Sequence, residues 1–348
     1  MMGEGNFGEA VTPGPPVSSW ERMRSIPMRD QDTNEVYERL RPLLFSIAYR
    51  MLGSVSEAED VVQEAFLRYH RAGKEAVIES PKSFLSAVTT RLSIDQLRAA
   101  RTRRETYVGP WLPEPLVTDD DSDPAEHAET ADSLSLAFLV LLETLTPLQR
   151  AVFLLREVFD YGYDEIARIV DTTEEACRQL AVRARKQVDA RRPRFEASRE
   201  RRRELARRFF AAAQRGDTEG LVRMLADDVV AYGDGGGKAP TFVSPVYGRE
   251  AVARLLLSLA GLGRRVGMRI RHVEVNGQPG ILFRGPDGRL INVLSLDIAE
   301  GRVQTLRAMS NPDKLRHLGP LADARRLFRE RGGSALPDSV ILGDEPGE

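Results

Sequence analysis

The sequence predicts two all-helical domains followed by an α+β domain with a curved antiparallel sheet. The 348 residues are more than twice the roughly 150 that one ordinary core needs, so several domains are expected. Apolar residues recur with helical spacing in the first two thirds of the chain, and alternating strand patterns begin only after residue 229. Short turn sequences such as Asn276-Gly277 separate the strand candidates, which favours an antiparallel meander.

Helix starts are marked by capping residues. Ser56 and Glu59 have the spacing of a capping box, in which each side chain satisfies a backbone amide at the start of a helix. Ser80-Pro81 and Thr146-Pro147 each combine an N-cap residue with a proline in the first turn. These signals predict one helical module on each side of a linker that contains two prolines and an acidic stretch.

The boundaries follow from these changes of pattern. The first residues hold glycine and proline without a sustained period, which is typical of a disordered tail. No strand pattern occurs before residue 229, and the C-terminus contains one short helix candidate, 322–331. The predicted segments are an N-terminal tail (1–33), a first helical domain (34–105), a linker (106–133), a second helical domain (134–193), an α+β domain (194–318) and a C-terminal tail (319–348).

Composition excludes several classes of protein. Apolar residues make up 42% and charged residues 29%, the profile of a globular rather than a disordered chain. The longest apolar run, Leu136–Leu142, is far shorter than the roughly 18 residues of a membrane span, and no signal-peptide pattern opens the chain. We therefore expect a cytoplasmic protein without membrane contact. Because Cys177 is the single cysteine and the four histidines lack paired ligand spacing, neither an internal disulfide, a metal site nor a cofactor is expected.

The net charge of −2 conceals segregated charge. Segments 91–104 and 178–194 are arginine-rich and carry local excesses of +4 and +6. Segment 119–130 holds six acidic residues and neither lysine nor arginine. Two basic blocks around an acidic spacer suggest two nucleic-acid contact surfaces joined by a linker. Composition alone also permits the simpler interpretation that these helices have solvated, arginine-rich faces.

A helix-turn-helix pattern provides the sharpest local signal. In the stretch 163–180, a short amphipathic helix with a small residue at Ala167 is followed by a turn at Asp171-Thr172. Thr172 and Glu175 have capping-box spacing and predict a second helix over 173–187. In helix-turn-helix proteins the second helix enters the major groove, while an ordinary helical hairpin is the alternative interpretation. The side chains predicted to reach base edges are Glu174, Arg178 and Gln179, and those predicted to reach phosphates are Arg183, Arg185 and Lys186.

These residues resemble the extracytoplasmic-function sigma factors of RNA polymerase. Residues 36–105 are similar to region 2 of that family and residues 134–192 to region 4, with Asp171 where the turn usually carries glycine. Aspartate tolerates a left-handed backbone better than most residues, so the turn is expected to survive at some strain. The resemblance implies that Ala58–Arg68 binds the clamp helices of the β′ subunit, that the loop 71–82 takes up an unstacked base, and that the second helix reads the −35 element. The implied polymerase contacts are Asp60, Gln63 and Glu64, and the implied −10 contacts are Arg91, Arg98, Arg101, Arg103 and Arg104.

Three further motifs resemble a subgroup of that family, the sigma factors with a fused SnoaL-like domain (the sigma J type). With the two sigma regions, the resemblance covers residues 36–318. It implies a C-terminal α+β cone, core RNA polymerase (its β and β′ subunits) and promoter DNA as partners, and no catalytic residues. The motifs are Trp111, Leu112, Pro113, Glu114 and Pro115 in the linker; Asp234, Gly235, Gly236, Gly237 and Lys238; and Asn311, Pro312, Asp313, Lys314 and Leu315.

Each motif also has a physical interpretation. The glycine run is not a phosphate-binding P-loop, because Tyr232 stands at the first glycine position and Ala239 replaces the required serine or threonine. Three glycines instead let the backbone approach a partner closely, and the tryptophan–proline segment is stiff enough to dock at little ordering cost. The hypothesis is that the motifs meet at an interface that sets the spacing of the two helical modules, without a separate anti-sigma protein. A flexible hairpin tip, an exposed aromatic residue and a simple strand end are the alternatives for the three motifs.

Other functions stay open on the residues alone. A SnoaL-like cone can enclose a pocket, and some relatives are cyclases or isomerases, for which Asp228, Tyr232 and His272 are the candidate acid–base groups here. No carboxylate–histidine spacing requires a catalytic site, and a sensor of an unknown small molecule would use the same pocket without chemistry. A helix-turn-helix repressor is a further alternative, although it does not account for the basic block at 91–104.

Overall fold

The computed structural model describes residues 30–119, 131–190 and 198–331. The predicted N-terminal tail up to residue 29, the acidic spacer 120–130 and the chain beyond residue 331 lie outside the described residues. Within the described ranges, no helix combines the length and the apolar character needed to cross a membrane.

The two predicted helical modules are present. The first helix begins at Asp30, inside the segment predicted as a tail, and helices resume after the linker at Ala131, slightly before the predicted boundary. The helices are α1 (Asp30–Leu52), α2 (Val55–Glu75), α3 (Pro81–Glu105), α4 (Ala131–Leu134), α5 (Leu136–Leu142), α6 (Pro147–Glu157), α7 (Tyr163–Val170) and α8 (Glu174–Asp189).

Capping explains where these helices begin. Thr146 caps α6 as predicted. At the start of α2 the N-cap is Ser54, whose hydroxyl accepts a backbone N–H of the first turn at 3.2 Å, so the predicted cap at Ser56 is wrong. Both serines are followed by glutamate three residues later, so the local pattern could not select between them. At the start of α8 the cap is likewise Thr173 and not the predicted Thr172.

The turn between α7 and α8 confirms the predicted helix-turn-helix geometry. Asp171 adopts a left-handed backbone, with φ 55° and ψ 58°, in the position where related turns carry glycine. Ala167 on α7 and Cys177 on α8 are both buried in the core that the two helices share. This packing leaves the opposite face of α8 exposed to a partner.

The two helical modules share one hydrophobic core. Ile47 and Leu52 of α1 belong to the same buried cluster as Phe138 of α5, Phe153 of α6 and Val188 of α8. Burial of apolar side chains stabilises by about 25 cal/mol for each Å² removed from water, so this cluster favours direct packing of the modules on each other. The modules therefore form a closed pair in this structure.

The C-terminal domain is built around a seven-stranded sheet. The remaining elements are β1 (Val117–Asp119), α9 (Arg199–Arg215), α10 (Thr218–Met224), β2 (Leu225–Asp234), β3 (Val246–Tyr247), α11 (Arg249–Val266), β4 (Arg269–Val275), β5 (Gln278–Arg284), β6 (Leu290–Ala299), β7 (Arg302–Met309), α12 (Pro312–Leu315) and α13 (Ala324–Arg331). The strands lie in the order β1-β4-β5-β6-β7-β2-β3. Strands β4 to β7 form the predicted antiparallel meander, and β2 adds to β7 in parallel, an arrangement that the hairpin signals did not predict.

Two expectations about chain segments were wrong. A strand occurs well before residue 229, because Val117–Asp119 of the predicted linker pairs with β4 as an edge strand. Three residues are too few to show an alternating pattern. The predicted C-terminal tail begins instead as part of the domain: Ala324 and Phe328 of α13 pack in a cluster with Leu262 and Val266 of α11.

Candidate interface between the linker, the helical modules and the C-terminal domain

Asp234, at the end of β2, is the centre of the contacts between the linker and the C-terminal domain. Its side chain is fully buried (0% exposed) and accepts hydrogen bonds from Leu112 N at 2.8 Å, from the Tyr107 hydroxyl and from the Lys314 ammonium at 2.7 Å. Lys314 also donates to the backbone oxygen of Leu112 at 2.5 Å. Because a buried charge is tolerated only when it is paired and hydrogen-bonded, this ion pair depends on all three motifs staying together.

Aromatic rings of the linker complete the environment of the ammonium. The Lys314 Nζ lies 4.6 Å from the ring centre of Tyr107 and 4.3 Å from that of Trp111, both within cation–π range. Burial, followed by the charge of Asp234, raises the pKa of Tyr107, so its hydroxyl remains a donor. Trp111 in turn reaches the turn after α1, where a Cβ added to Gly53 would lie 2.9 Å from the indole.

The glycine run provides the close approach that the sequence predicted. Gly236 has φ +57°, and a Cβ there would collide with the Asn311 side-chain amide, so any other residue would strain the turn and displace Asn311. Asn311 Nδ2 itself donates to the Tyr107 hydroxyl at 2.8 Å. The neighbouring Lys238 has a different environment, because its exposed side chain pairs with Asp313 at the rim.

Glu114 of the linker caps a helix of the first module. Its carboxylate accepts from the backbone amides of Val55 at 2.7 Å and Ser56 at 3.2 Å, and from the Ser54 hydroxyl at 2.8 Å. The first amides of a helix lack partners within the helix, and the helix dipole favours a negative charge at this end. The linker therefore supplies the N-terminal anion of α2, the helix that carries the candidate polymerase contacts.

Leu112 and Pro115 anchor the rest of the linker. Leu112 is buried in a small core with Leu136 of α5 and Leu315 of the C-terminal domain. The backbone oxygen of Pro115 is hydrogen-bonded to His317 Nε2 at 2.8 Å. The five linker motif residues thus lie between the helical modules and the C-terminal domain, and the predicted stiff segment is docked.

Asn276 and Tyr49 also belong to this interface, a role that no sequence pattern predicts. The Asn276 Nδ2 donates to the Tyr49 hydroxyl at 2.7 Å and to Leu134 O at 2.8 Å, while its Oδ1 accepts from Leu116 N at 2.9 Å. The Tyr49 hydroxyl itself donates a hydrogen bond to the backbone oxygen of Glu114 at 2.6 Å. The local signal identified the hairpin turn, but it could not show that the turn amide connects both helical modules to the linker.

Arg91 connects the two helical modules directly. Its Nε donates to Ile169 O at 2.7 Å and its Nη2 to Arg168 O at 2.9 Å, at the C-terminal end of α7. The last carbonyl groups of a helix lack intrahelical partners and carry partial negative charge, so a guanidinium is a favourable ligand. Elsewhere on α3, the hydroxyl of buried Ser86 lies 2.8 Å from the Tyr161 hydroxyl of the second module.

Arg150 forms a second connection between the modules, and no sequence pattern predicts this connection. Its Nη1 donates to Met51 O of α1 at 2.6 Å, and its other nitrogens bind Leu142 O at 3.0 Å and the Glu143 carboxylate at 2.7 Å. Burial lowers the pKa of Arg150 to about 9, which reflects the unfavourable desolvation of its charge. The bond to Met51 joins the two modules, and the bonds to Leu142 and Glu143 satisfy the same buried charge from within the second module.

The candidate −35 contacts all lie on the exposed side of α8. Arg178 is paired with Glu174 at 2.7 Å, and its guanidinium stacks 5.3 Å from the centre of the Tyr163 ring. Arg185 is paired with Glu157 of α6 at 2.5 Å. The exposed set consists of Glu174, Arg178, Gln179, Arg183, Arg185 and Lys186.

The other candidate contacts lie on the first module. Asp60 and Gln63 are exposed on α2, and half-buried Glu64 is paired with Arg68 at 2.7 Å. Arg98 is exposed on α3 and paired with Asp95 at 3.3 Å. The side chains of Arg101, Arg103 and Arg104 lie outside the described residues, although their backbone belongs to α3.

The three candidate acid–base groups do not come together. Asp228 is exposed at the start of β2, and Tyr232 stacks with Arg307 at 5.9 Å on the sheet face that packs against the linker. His272 is exposed, with its ring 5.7 Å from that of Phe210. Among the described residues that line the cavity of the domain, none of the three is present.

Comparisons with known proteins match each part of this architecture. Residues 36–103 match the sigma-70 region 2 family, residues 135–188 the sigma-70 region 4 family and residues 206–310 the SnoaL-like domain family. The ECF RNA polymerase sigma factor SigJ of Mycobacterium tuberculosis is 38% identical over 308 residues, covering 85% of this chain and 97% of the relative. The probable ECF sigma factor SigI of the same species is 31% identical, covering 79% and 92% of the two chains.

A solved structure shows the same arrangement of domains. The crystal structure of Mycobacterium tuberculosis SigJ matches with a TM-score of 0.65 and 38% identity, over 81% of this chain and 98% of that one. Two helical sigma regions with a linker between them, followed by a SnoaL-like domain, define the class: a promoter-directing sigma factor with a fused third domain. The chain belongs to the extracytoplasmic-function (ECF) sigma factor family. The first module is region 2 and the second module is region 4.

Proposed function

We propose that this sigma factor is held in a closed resting form by its linker and its SnoaL-like domain, and that regions 2 and 4 must separate before transcription starts. The observation that carries the proposal is the contact of Arg91, a candidate −10 residue, with the carbonyl groups of Arg168 and Ile169 in region 4. A guanidinium that binds region 4 is not available to a DNA phosphate or base.

The spacing of promoter elements supports the need for opening. The −10 and −35 elements lie about 25 base pairs apart, which is roughly 85 Å at about 3.4 Å per base pair. In the closed form the Ser86 and Tyr161 hydroxyls of the two regions are 2.8 Å apart, and both regions contribute to one core. Two small modules cannot reach both elements while this contact persists, so binding to core polymerase must offset the loss of the shared core.

Each element has a defined role in the open form. The exposed face of α2, with Asp60 and Gln63, binds the β′ subunit of core polymerase; the β and β′ subunits together hold the factor in place. Helix α8 reads the −35 element, and the arginines of α3 meet the −10 element. Because the linker and the SnoaL-like domain restrain the two regions within one chain, no separate anti-sigma protein is required.

The SnoaL-like domain acts by contact rather than by catalysis in this proposal. Asp228, Tyr232 and His272 do not share a site, and the relatives are named as sigma factors. The fold alone is a weak argument for an enzymatic activity.

The first test is reconstitution of transcription. The full chain is added to core RNA polymerase with a library of promoter fragments, in parallel with a variant truncated after residue 190. We expect core polymerase to gain defined start sites only with added chain. If neither protein confers start-site choice, the assignment is contradicted.

Opening can be measured by energy transfer between two dyes. Val77 in region 2 and Asp164 in region 4 are exposed, so cysteines there accept labels, while the natural Cys177 is buried. Transfer is expected to be efficient in the free protein and to fall sharply when polymerase and promoter are added. A control pair within region 2, at Val77 and Asp95, should not change. Constant transfer in the first pair during active transcription would argue against a closed resting form.

Promoter reading by α8 can be tested with Arg178→Ala. If Arg178 contacts a base edge, its loss is expected to weaken promoter binding by the reconstituted polymerase by about 1–3 kcal/mol on the matched −35 sequence. Binding to a promoter with a scrambled −35 sequence should weaken much less. Lys186→Ala is the matched control, because a phosphate contact weakens binding to both sequences alike and reduces the salt slope by about one. An equal loss on both sequences for Arg178→Ala would place this residue on the phosphates.

A further inference from the structure

A cavity of about 390 Å³ lies inside the SnoaL-like domain, between helices α9 and α11 and the sheet. Cavities of this size are within the range that holds small ligands in proteins. The wall is almost entirely apolar, which disfavours filling by water, since a buried water needs polar partners. Its apolar lining includes Phe210, Leu255, Leu259, Ile281, Phe283 and Leu306.

One neutral polar pair stands out in this apolar wall. Asn292 Nδ2 donates to the Ser310 hydroxyl oxygen at 2.6 Å, which leaves the amide oxygen as an acceptor and the hydroxyl hydrogen as a donor for a ligand. Arg264 is the charged residue among the described lining; it is exposed and its Nη1 donates to Gln214 O at 2.8 Å. An ionised ligand would therefore lose its hydration without gaining a buried counter-charge.

The C-terminal helix lines the cavity and also contacts the interface. Ala324 and Phe328 of α13 line the cavity, and both are 9% exposed. From the same helix, Arg325 Nη2 donates to Gly237 O at 2.9 Å. The lid of the cavity is thus bonded to the glycine run that holds the linker.

The loop 234–242 forms a second connection between cavity and linker. Pro240, Thr241 and Phe242 line the cavity at one end of this loop. Asp234, at the other end, binds the backbone amide of Leu112. Fewer than ten residues of chain therefore separate the cavity wall from the contact that fixes the linker.

We infer that this cavity is a binding site for an uncharged, largely apolar small molecule with one hydroxyl or carbonyl group, and that its occupancy changes the hold of the SnoaL-like domain on the linker. The binding site stands on the cavity alone, whereas the effect on the linker rests on the proposed function. Helix α13 acts as the lid, and the molecule enters when this helix moves away from the cavity.

Binding can be tested on the full chain with the uncharged fluorescent probe N-phenyl-1-naphthylamine. We expect saturable binding of one probe per chain, with increased fluorescence. Ala308→Phe, which fills the cavity from β7, should weaken binding at least tenfold. Ala99→Phe, on the exposed side of α3, is the matched control and should bind like the parent chain. The absence of saturable binding, or equal binding by the filled variant, overturns the site.

A second variant controls for misfolding of Ala308→Phe. Phe328→Ala removes the lid side chain without crowding the core, and it should speed probe dissociation several-fold while the melting temperature shows an intact fold. Unchanged dissociation overturns the assignment of α13 as the lid.

The effect on the linker is measured by hydrogen exchange at the Leu112 amide with and without probe. A change of at least threefold in the exchange rate is expected in the parent chain and none in Ala308→Phe. An unchanged rate at saturating probe overturns the coupling. Because reconstituted transcription needs no probe, failure here is distinguishable from failure of the sigma assignment.

Discussion

Replacing Asp234 with asparagine is expected to release the linker from the SnoaL-like domain. The substitution keeps the size of the side chain but removes the counter-charge of Lys314, whose side chain is 9% exposed and whose ammonium lies 2.7 Å from the carboxylate. Breaking a buried ion pair on one side costs about 3–5 kcal/mol, because the remaining charge is left without a partner. We expect the free energy of opening at the Leu112 amide, measured by hydrogen exchange, to fall by this amount. Proteolysis of the linker should also become faster.

Two further variants separate the charge effect from general damage. Asp234→Asn combined with Lys314→Met removes both charges and should recover most of the lost stability. Lys238→Met breaks the exposed pair with Asp313 and should cost less than about 1 kcal/mol. The interface would be wrong as described if Lys238→Met were as damaging as Asp234→Asn, or if neither variant changed linker exchange.

Replacing Glu114 with alanine is expected to destabilise the start of α2. The carboxylate accepts from two backbone amides and two hydroxyls, those of Ser54 and Ser56, at this helix end, with distances of 2.7 to 3.2 Å. Hydrogen bonds to a charged group contribute about 1.5–3 kcal/mol each, and a lost N-cap costs about 1 kcal/mol, although such values do not add fully. A net loss of about 3 kcal/mol corresponds to roughly a hundredfold faster exchange of the Val55 and Ser56 amides.

The size of the effect can be calibrated within the same helix. Glu114→Gln keeps an acceptor oxygen but loses the charge, and it should fall between the parent and the alanine variant. Glu59→Ala breaks an exposed pair with Arg41 and should change stability by less than about 1 kcal/mol. Exchange at Val55 that is unaffected by Glu114→Ala would show that Ser54 alone caps the helix.

Much of the fold could be predicted from patterns that span only a few residues. Near neighbours in the chain determine the helical period, the alternation of the meander strands and the Thr146-Pro147 start of α6. These features can therefore be predicted from the sequence. The same is true of the turn at Asp171, whose short polar side chain tolerates the left-handed backbone that the helix-turn-helix needs. The predicted N-cap of α2 was wrong because Ser54 and Ser56 have the same local pattern. Strand β1 was not predicted because it has only three residues.

The sequence by itself determined the order of the domains, the helix-turn-helix and the membership of three motifs in one candidate interface. Only the tertiary structure decided their unequal roles: Asp234 is buried with Lys314, Lys238 lies at the rim, and Glu114 caps a helix 59 residues earlier in the chain. It also decided that Asn276 joins both sigma regions to the linker. The physical reason is that local backbone preferences act over a few residues, whereas the partner of a buried polar group is set by which distant surfaces pack together and exclude water.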